Sequence, residues 1–235
     1  IGIFRQKQRG MNYVGLKVLV GRVKAADLRS IAALAVRYGN GEVRLSPAQA
    51  FVIPHISDRL VGELAEEPLV KQFAYNPSAL YKGLVSCVGS DYCNLAVIET
   101  KSRAVETARV LERKLGDPLK PVSLHWSGCP AGCGNHLVAD IGLLGKKAKV
   151  GGKVVDAVDV FVGGRSGPDP KLATKIMEDV PCDRLPAVLE MIMPYHTREK
   201  MHRVRGKAVP KGTGASKSTA SGNETTGLTP QPLPA

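Results

Sequence analysis

Two stretches of the sequence, LVSCVGSDYC (residues 84–93) and LHWSGCPAGCG (residues 124–134), carry four of its five cysteines. In each stretch, an apolar segment of strand length runs into a glycine-containing loop that presents two cysteines. Cys87 and Cys93 form a C-x5-C pair, and Cys129 and Cys133 form a C-x3-C pair. Two cysteine pairs in the same strand-to-loop context indicate one shared site, and they predict a fold in which both strands end near it.

Thiolates are soft ligands that suit iron–sulfur clusters or zinc. A cubane cluster needs four thiolates, with backbone N–H groups directed at its sulfides. The glycines at positions 89, 128, 132 and 134 would let the backbone approach such a cluster closely. Pro130 could begin a helix, whose N-terminus would place positive partial charge beside the cluster. The spacing therefore favours a cluster held by four cysteines.

Other uses of the cysteines remain open at this point. Structural zinc sites with four cysteines usually contain C-x2-4-C pairs, a pattern that fits the second pair but not the first. Disulfides are less favoured because we recognise no secretory signal. The fifth cysteine, Cys182, follows Val180-Pro181 and is interpreted as a small buried hydrophobic residue.

The composition predicts a folded chain with a basic surface. Apolar residues make up 43% of its 235 residues, and the net charge is +12. No apolar run is long enough to span a membrane, so we expect no membrane partner. We also expect no nucleic-acid partner, because the sequence has no zinc finger, no Gly-aromatic strand signature and no aromatic-interleaved basic strip. The charge fits a solvated lysine-rich surface, an anionic ligand or an acidic protein partner.

The hydrophobic pattern of residues 11–75 predicts a β-α-β-β-α order, and hence an α+β module. The predicted elements are strands at Tyr13–Val23, Glu42–Leu45 and Ala50–Ile53 and helices at Lys24–Tyr38 and Ile56–Glu66. In the remainder, strands are predicted at Leu84–Ser86, Val122–Ser127 and Val138–Leu144, a hairpin at Lys149–Val162, and helices at Asn94–Leu115 and Leu185–Met193. The pattern at Leu172–Met177 is ambiguous.

The motifs around the cysteines resemble the signature of the nitrite and sulfite reductase haemoprotein family. Besides the two cysteine pairs, the matching segments are Ile98-Glu99-Thr100-Lys101, Ala139-Asp140-Ile141-Gly142 and Gly163-Gly164-Arg165 with Gly167-Pro168. Two earlier segments, residues 6–16 and 41–46, resemble the second ferredoxin-like half-domain of that family. The resemblance covers roughly residues 1–196 and leaves out the Gly-, Ser-, Thr- and Lys-rich end of the chain.

The resemblance implies an α+β fold with three parts. These are a ferredoxin-like half-domain with its lead-in at residues 1–78, a sirohaem- and 4Fe–4S-binding α+β domain at residues 79–200, and a disordered basic tail at residues 201–235. It also implies that Cys87, Cys93, Cys129 and Cys133 ligate the cluster and that Cys133 bridges to the sirohaem iron. Asn135, Lys101 and Arg165 are candidates for contacts to the cofactors.

Among the members of the family, the motifs look most like those of ferredoxin-dependent nitrite reductases, in which nitrite is reduced to ammonia by six electrons. Val88-Gly89 follows the first cysteine, where sulfite reductases tend to have proline. The resemblance implies ferredoxin as the electron donor, and either cytoplasm or plastid stroma as the compartment. Full members are about twice as long, so we expect a missing N-terminal half and an inactive isolated chain. The alternatives are a sulfite reductase, a precorrin-modifying relative, an electron-transfer module with the cluster only, and a zinc-stabilised domain.

Overall fold

The computed structural model of the chain describes residues 1–116 and 122–194, which form two β-sheets with helices packed against them. The first sheet is antiparallel, in the order β1-β2-β4-β3. Its strands are β1 (Gly2–Arg5), β2 (Met11–Lys17), β3 (Arg44–Ser46) and β4 (Ala50–Ser57). The helices of this part of the chain are α1 (Ala25–Tyr38), α2 (Val61–Glu66) and α3 (Pro68–Gln72).

Helix α1 forms because its apolar residues recur at helical spacing and face the first sheet. Ile31, Leu34, Ala35 and Tyr38 are buried there, against residues of β2 and β4. The helix ends at Gly39, whose N–H donates to the carbonyl of Ala35 at 3.0 Å. The predicted helix is therefore confirmed within one residue at its beginning.

The second sheet is mixed, in the order β5-β6-β7-β8-β9. Strand β5 pairs in parallel with β6 and β6 in parallel with β7, whereas the later pairs are antiparallel. Its strands are β5 (Leu84–Ser86), β6 (Leu124–Ser127), β7 (Ile141–Val150), β8 (Lys153–Val162) and β9 (Thr174–Pro181). The helices of this part are α4 (Ala79–Gly83), α5 (Lys101–Leu115) and α6, at residues 185–194.

The main core lies between the second sheet and its helices. Helix α5 contributes Ala104, Ala108 and Leu111, all fully buried, and β6 contributes Trp126, which has no exposed surface. Because α5 connects two parallel strands, its buried side must pack back onto the sheet, as a right-handed crossover requires. The α+β fold class predicted from the sequence is confirmed.

Several predicted boundaries are wrong, among them that of the strand predicted at Val138–Leu144, which is Ile141–Val150 in the structure. The strand predicted for Tyr13–Val23 ends at Lys17 and is followed by a 3-10 turn at Leu19–Gly21. Strand β4 continues to Ser57, so the helix predicted to begin at Ile56 begins at Val61. Short apolar runs such as these fit a strand or a helix equally well, so their pattern alone does not separate the two.

The helix predicted to begin at Asn94 begins instead at Lys101. Glu99 accepts hydrogen bonds from the N–H groups of Ser102 and Arg103 at 2.8 and 3.1 Å, which fixes this end of the helix.

The hairpin with its turn at residues 151–152 is confirmed, and the ambiguous segment after residue 172 proves to belong to β9. The sequence analysis did not predict β1.

The predicted basic tail at residues 201–235 lies outside the described residues. In the part of the chain that is described, no helix is both long and apolar enough to cross a membrane.

Candidate metal and cofactor site

The two cysteine loops begin where β5 and β6, which run in parallel, end at the same edge of the second sheet. Ser86 pairs with Trp126 at this edge, and the N–H of Cys87 donates to the carbonyl of Trp126 at 3.0 Å. Cys87 follows β5 directly, and Cys129 lies two residues beyond the end of β6. The parallel register thus places the beginnings of the two cysteine loops side by side.

Hydrogen bonds join the two loops to each other. The N–H of Gly128 donates to the Sγ atom of Cys87 at 3.1 Å. The N–H of Val97, in turn, donates to the carbonyl of Gly128 at 2.8 Å. Backbone N–H groups directed at cysteine sulfur are a feature of sites that hold an iron–sulfur cluster.

The first loop is compact because Gly89 allows its backbone to approach Thr100 closely. Gly89 has a φ of +73°, and a Cβ atom there would lie 2.5 Å from the Oγ1 atom of Thr100. Its carbonyl accepts a hydrogen bond from the N–H of Cys93 at 3.1 Å, which closes the turn between the two cysteines. Thr100 also donates through Oγ1 to the carbonyl of Cys87 at 3.0 Å. These contacts fix the orientation of the first cysteine pair.

The second loop is a pair of turns, and the helix expected to begin at Pro130 is not there. The N–H of Gly132 donates to the carbonyl of Cys129 at 3.1 Å, and Gly132 has a φ of +70°. The first helical geometry after Pro130 is a 3-10 turn at His136–Val138. The expectation of a helix N-terminus beside the cysteines is therefore wrong, since a left-handed glycine two residues after the proline interrupts the helix.

Ser127 and Gly134 support this second loop from behind. The Oγ atom of Ser127 accepts from the N–H of Gly134 at 3.1 Å and lies 3.0 Å from Nδ1 of His136. A Cβ atom at position 134 would lie 2.0 Å from the carbonyl oxygen of Trp126. Only glycine fits there, so this residue sets how closely the loop folds back onto β6.

The four thiols differ in exposure and are not gathered around one point. Cys87, Cys93 and Cys129 are half-buried and Cys133 is exposed. Among residues 1–116 and 122–194, no three His, Cys, Asp or Glu side chains converge closely enough to hold one metal ion. A tetrahedral zinc site needs sulfur atoms about 3.8 Å apart at Zn–S bonds of about 2.3 Å. A cubane would offer each thiolate its own iron, and the soft four-thiolate donor set fits such a cluster.

Cys182 lies apart from this site, in the main core next to Val180 and Leu185. Its N–H donates to the carbonyl of Asp156 at 2.9 Å. Burial raises the pKa of its thiol to about 11, so it stays protonated near neutral pH.

Lys101 is directed into the protein. It is 7% exposed, and its Nζ atom donates to the carbonyl of Val20 and, at 3.4 Å, to that of Ser86. Burial is the main cause that lowers the pKa of Lys101, and the repulsion of Arg22 adds to it. Its charge lies behind the Cys87 strand.

Asn135 and Arg165 lie in turns that follow the second loop and β8, respectively. Asn135 adopts a left-handed conformation with a φ of +55°, and its carbonyl lies 3.2 Å from Nδ1 of His125. Arg165 is half-exposed and pairs with the carboxylate of Asp169, while its backbone bridges to Lys171. These geometries describe turn residues, and the predicted cofactor contacts of Asn135, Lys101 and Arg165 stay predictions.

Two residues that the sequence analysis did not select also contact the strand before Cys87. Lys17 is 1% exposed, and Gln49 hydrogen-bonds to the backbone of Ser86. Both lie in the first sheet or its hairpin, far from the cysteines in sequence. No local pattern marks them; the one available signal is a lysine within an apolar strand.

Comparisons with known proteins agree with this arrangement. Residues 4–70 match the family described as the nitrite/sulfite reductase ferredoxin-like half domain, and residues 82–220 match the nitrite and sulphite reductase 4Fe-4S domain. The chain is 48% identical over 193 residues to a ferredoxin–nitrite reductase of Synechococcus elongatus, covering 82% of this chain and 38% of that protein. The chain is 47% identical over 194 residues to a chloroplastic ferredoxin–nitrite reductase of Oryza sativa. This alignment covers 82% of this chain and 32% of the rice protein. The chain thus spans about a third of the length of these curated relatives.

Solved structures show the same fold. The Mycobacterium tuberculosis NirA protein superposes with a TM-score of 0.75 at 28% identity, over 88% of this chain and 40% of that one. A dissimilatory sulfite reductase superposes with a TM-score of 0.62 at 13% identity, over 89% and 72%, and shows the fold alone. The resemblance inferred from the cysteine motifs is confirmed.

Proposed function

Because this chain belongs to the nitrite and sulphite reductase family, we propose that it is the cofactor-binding C-terminal part of a ferredoxin-dependent nitrite reductase. The observation that carries the proposal is the meeting of two cysteine loops at one edge of a parallel strand pair, with the N–H of Gly128 on the Sγ of Cys87. Two relatives that are identical to this chain at nearly half of the aligned positions are ferredoxin–nitrite reductases.

In this proposal, Cys87, Cys93, Cys129 and Cys133 hold a 4Fe–4S cluster, and Cys133 also reaches the iron of a sirohaem. The two groups, when bound, supply one-electron transfer to nitrite for its six-electron reduction to ammonia. Cys133 is the one exposed thiol among the five, which suits a sulfur that must reach a second group beyond the cluster. The N–H of Gly128 stabilises the negative charge on Cys87, and such hydrogen bonds to cluster sulfurs raise reduction potentials.

We further propose that the active assembly needs the additional chain that the relatives possess. Three apolar side chains close to the cysteines in sequence are exposed: Tyr92 is 87% exposed, Leu95 76% and Leu137 37%. Apolar surface next to a cofactor site is what a covering domain or a macrocycle would bury. The cationic residues that bind the substrate anion would come from that missing half.

The donor proposed for this chain is ferredoxin, in a cytoplasmic or plastid-stromal setting. The relatives' names specify ferredoxin, and the plant relatives are chloroplastic. A net charge of +12 would attract an acidic donor and raise the rate of encounter. Lys101 would act through its charge, since its Nζ atom already donates to two backbone carbonyls, and Asn135 and Arg165 would line the sirohaem side.

The test begins with the chain purified anaerobically, by visible absorption together with iron and acid-labile sulfide analysis. About four irons and four sulfides per cluster, together with sirohaem bands and one further iron for each sirohaem, support the proposal. A colourless protein that contains zinc would contradict it, and a brown cluster without sirohaem would favour an electron-transfer module.

Turnover separates the substrates. The chain is combined with the N-terminal portion of a ferredoxin–nitrite reductase and supplied with reduced ferredoxin, and ammonia or sulfide is measured. We expect nitrite reduction to exceed sulfite reduction, and none by the chain alone. Faster sulfide formation would assign the chain to the sulfite reductases, and steady ammonia formation by the chain alone would refute the need for a second half.

A further inference from the structure

The strand that presents Cys87 has one free edge. Strand β5 is the outermost strand of the second sheet and pairs on one side with β6. The N–H of Cys87 points toward β6, so the backbone N–H and C=O groups of Ser86, one residue earlier, point the other way. Unpaired groups on a short edge strand leave its position poorly fixed.

The side chain of Gln49 occupies this free edge as a neighbouring strand would. Its Nε2 donates to the carbonyl of Ser86 at 2.6 Å, and its Oε1 accepts from the N–H of Ser86 at 3.1 Å. A primary amide carries the same donor and acceptor as a peptide group, which allows this two-point pairing. Ser86, directly before the first cysteine, is thereby held from both sides.

Two buried lysines extend the same contact. Nζ of Lys17 donates to the carbonyls of Leu84 at 2.7 Å and Ala48 at 2.6 Å. Nζ of Lys101 donates to the carbonyls of Ser86 and Val20. We call Lys17, Gln49 and Lys101 the edge clamp. It links the first sheet and its following turn to the strand that ends at Cys87.

Gln49 is itself held in an unusual conformation. Its φ is +55°, in the left-handed region that non-glycine residues rarely adopt, and its N–H and C=O bond to Ser46 and Val18, both at 3.0 Å. A Cβ atom on Gly21 would lie 3.1 Å from Nε2 of Gln49, so the amide packs tightly against that backbone. Residues in strained backbone conformations occur most often at functional sites, where the surrounding contacts hold them in place.

We propose that Gln49 is a positioning residue for the cluster: by pairing with Ser86 from the first sheet, it holds Cys87 where its thiolate meets both the N–H of Gly128 and an iron atom. The inference rests on the proposed function, because it takes Cys87 as a cluster ligand. It adds that Gln49, a residue outside the 4Fe–4S domain, limits the movement of Cys87 and so slows the loss of iron from the site.

The variant that tests this is Gln49→Met, which keeps the length of the side chain and removes both hydrogen bonds. Two lost hydrogen bonds correspond to roughly a tenfold change in a local equilibrium. We therefore expect iron to pass to a strong chelator about tenfold faster than from the unchanged chain. Amide hydrogen exchange should accelerate at residues 84–87. The matched control is Gln72→Met, which changes an exposed glutamine of α3 and should release iron as the unchanged chain does.

A second control separates positioning from general destabilisation. Val14→Ala opens a cavity in the core of the first sheet, where Val14 has no exposed surface, and leaves the Gln49 contacts in place. If Gln49 positions Cys87, Gln49→Met loses iron faster than Val14→Ala, even where Val14→Ala unfolds at lower urea concentration.

The outcomes distinguish the two proposals. An unchanged chain that binds no iron under reconstitution overturns the proposed function and this inference with it. A chain that holds iron equally well with and without the Gln49 amide, or whose Gln49→Met variant releases iron no faster than Val14→Ala, overturns the inference alone.

Discussion

At the scale of single residues, the environment of each sulfur atom separates four cysteines from the fifth. Cys87 accepts a backbone N–H at its Sγ and lies in a loop, whereas Cys182 is enclosed in the main core. The cysteine sulfur of the loop is therefore available to bind a metal, whereas that of Cys182 packs against apolar side chains.

We predict that Cys129→Ala loses most of the bound iron and that Cys182→Ala keeps it. A cubane that loses one of four thiolates is poorly held, while the loss of a buried sulfur leaves a small cavity costing about 1–2 kcal/mol of stability. Iron analysis and urea unfolding measure the two effects.

In the metal-free chain at pH 8, iodoacetamide should label four cysteines and spare Cys182, whose pKa is raised to about 11. Loss of iron from Cys182→Ala would contradict this assignment.

Lys17 predicts a pH dependence of stability. Burial lowers its pKa from 10.5 to about 8, and the residue is 1% exposed. Between these values the unfolded chain binds more protons at this site than the folded chain, so its contribution to stability rises with pH, by roughly 3 kcal/mol in full. Below about pH 8 both states hold the proton, and the contribution is constant.

The measurement is the free energy of unfolding of the metal-free chain at pH 8 and pH 10, compared with that of Lys17→Met. We expect the rise between the two pH values to be smaller in Lys17→Met, because the other titrating groups are common to both proteins. Lys71→Met, which removes an exposed lysine, is the control and should keep the rise. Equal slopes for all three proteins would show that Lys17 titrates normally.

At the scale of elements, the site depends on how closely each cysteine loop folds back on its strand. In the second loop this distance is set by Gly134, whose missing side chain makes room for the carbonyl of Trp126. A backbone carbonyl in a parallel strand pair cannot move aside without breaking the pairing.

We predict that Gly134→Ala lowers stability by about 2–4 kcal/mol and weakens iron binding, since the added methyl group would lie 2.0 Å from that oxygen. The matched control is Gly62→Ala in α2, where a methyl group meets no atom within 4 Å. There the change should be neutral or stabilise by up to about 1 kcal/mol, since alanine favours helix. Urea unfolding followed by the fluorescence of Trp126 measures both. A Gly134→Ala protein as stable as the unchanged chain would mean that the loop is free to move.

At the scale of the whole molecule, the two sheets are tied by buried polar groups and by shared packing. The edge clamp joins them through hydrogen bonds, and Val20, which follows the first sheet's β2, packs in the core of the second sheet. Because of these contacts, we expect a substitution that destabilises one sheet to destabilise the other as well.

Leu16→Ala tests this coupling, because Leu16 is fully buried in the first sheet while the single tryptophan, Trp126, reports on the second. We expect the free energy of unfolding seen by Trp126 to fall by about 2–5 kcal/mol, as for other buried leucines. Leu45→Ala, at a leucine that is 83% exposed, should change it by less than about 0.5 kcal/mol. If circular dichroism shows early unfolding of Leu16→Ala while the Trp126 transition stays unchanged, the sheets are independent.

Short-range features of the sequence were enough to predict the ligand chemistry of the site and the type of most helices and strands. Four cysteines after two apolar segments, with glycines between them, indicated a cluster, and helical periodicity gave α1 nearly to its ends. Such features are local: side-chain chemistry, turn residues and periodicity act within a few positions of one another. The family resemblance followed from the same short motifs.

The tertiary structure alone decided which groups hold the first cysteine in place. Gln49 and Ser86 are 37 positions apart and Lys17 and Leu84 are 67 apart, and nothing near either residue in sequence marks the pairing. The inward direction of Lys101 is set likewise by a distant segment, because its Nζ atom donates to the carbonyl of Val20, 81 positions away. A backbone carbonyl has no sequence signature, so a hydrogen bond that it accepts becomes visible only when the chain is folded.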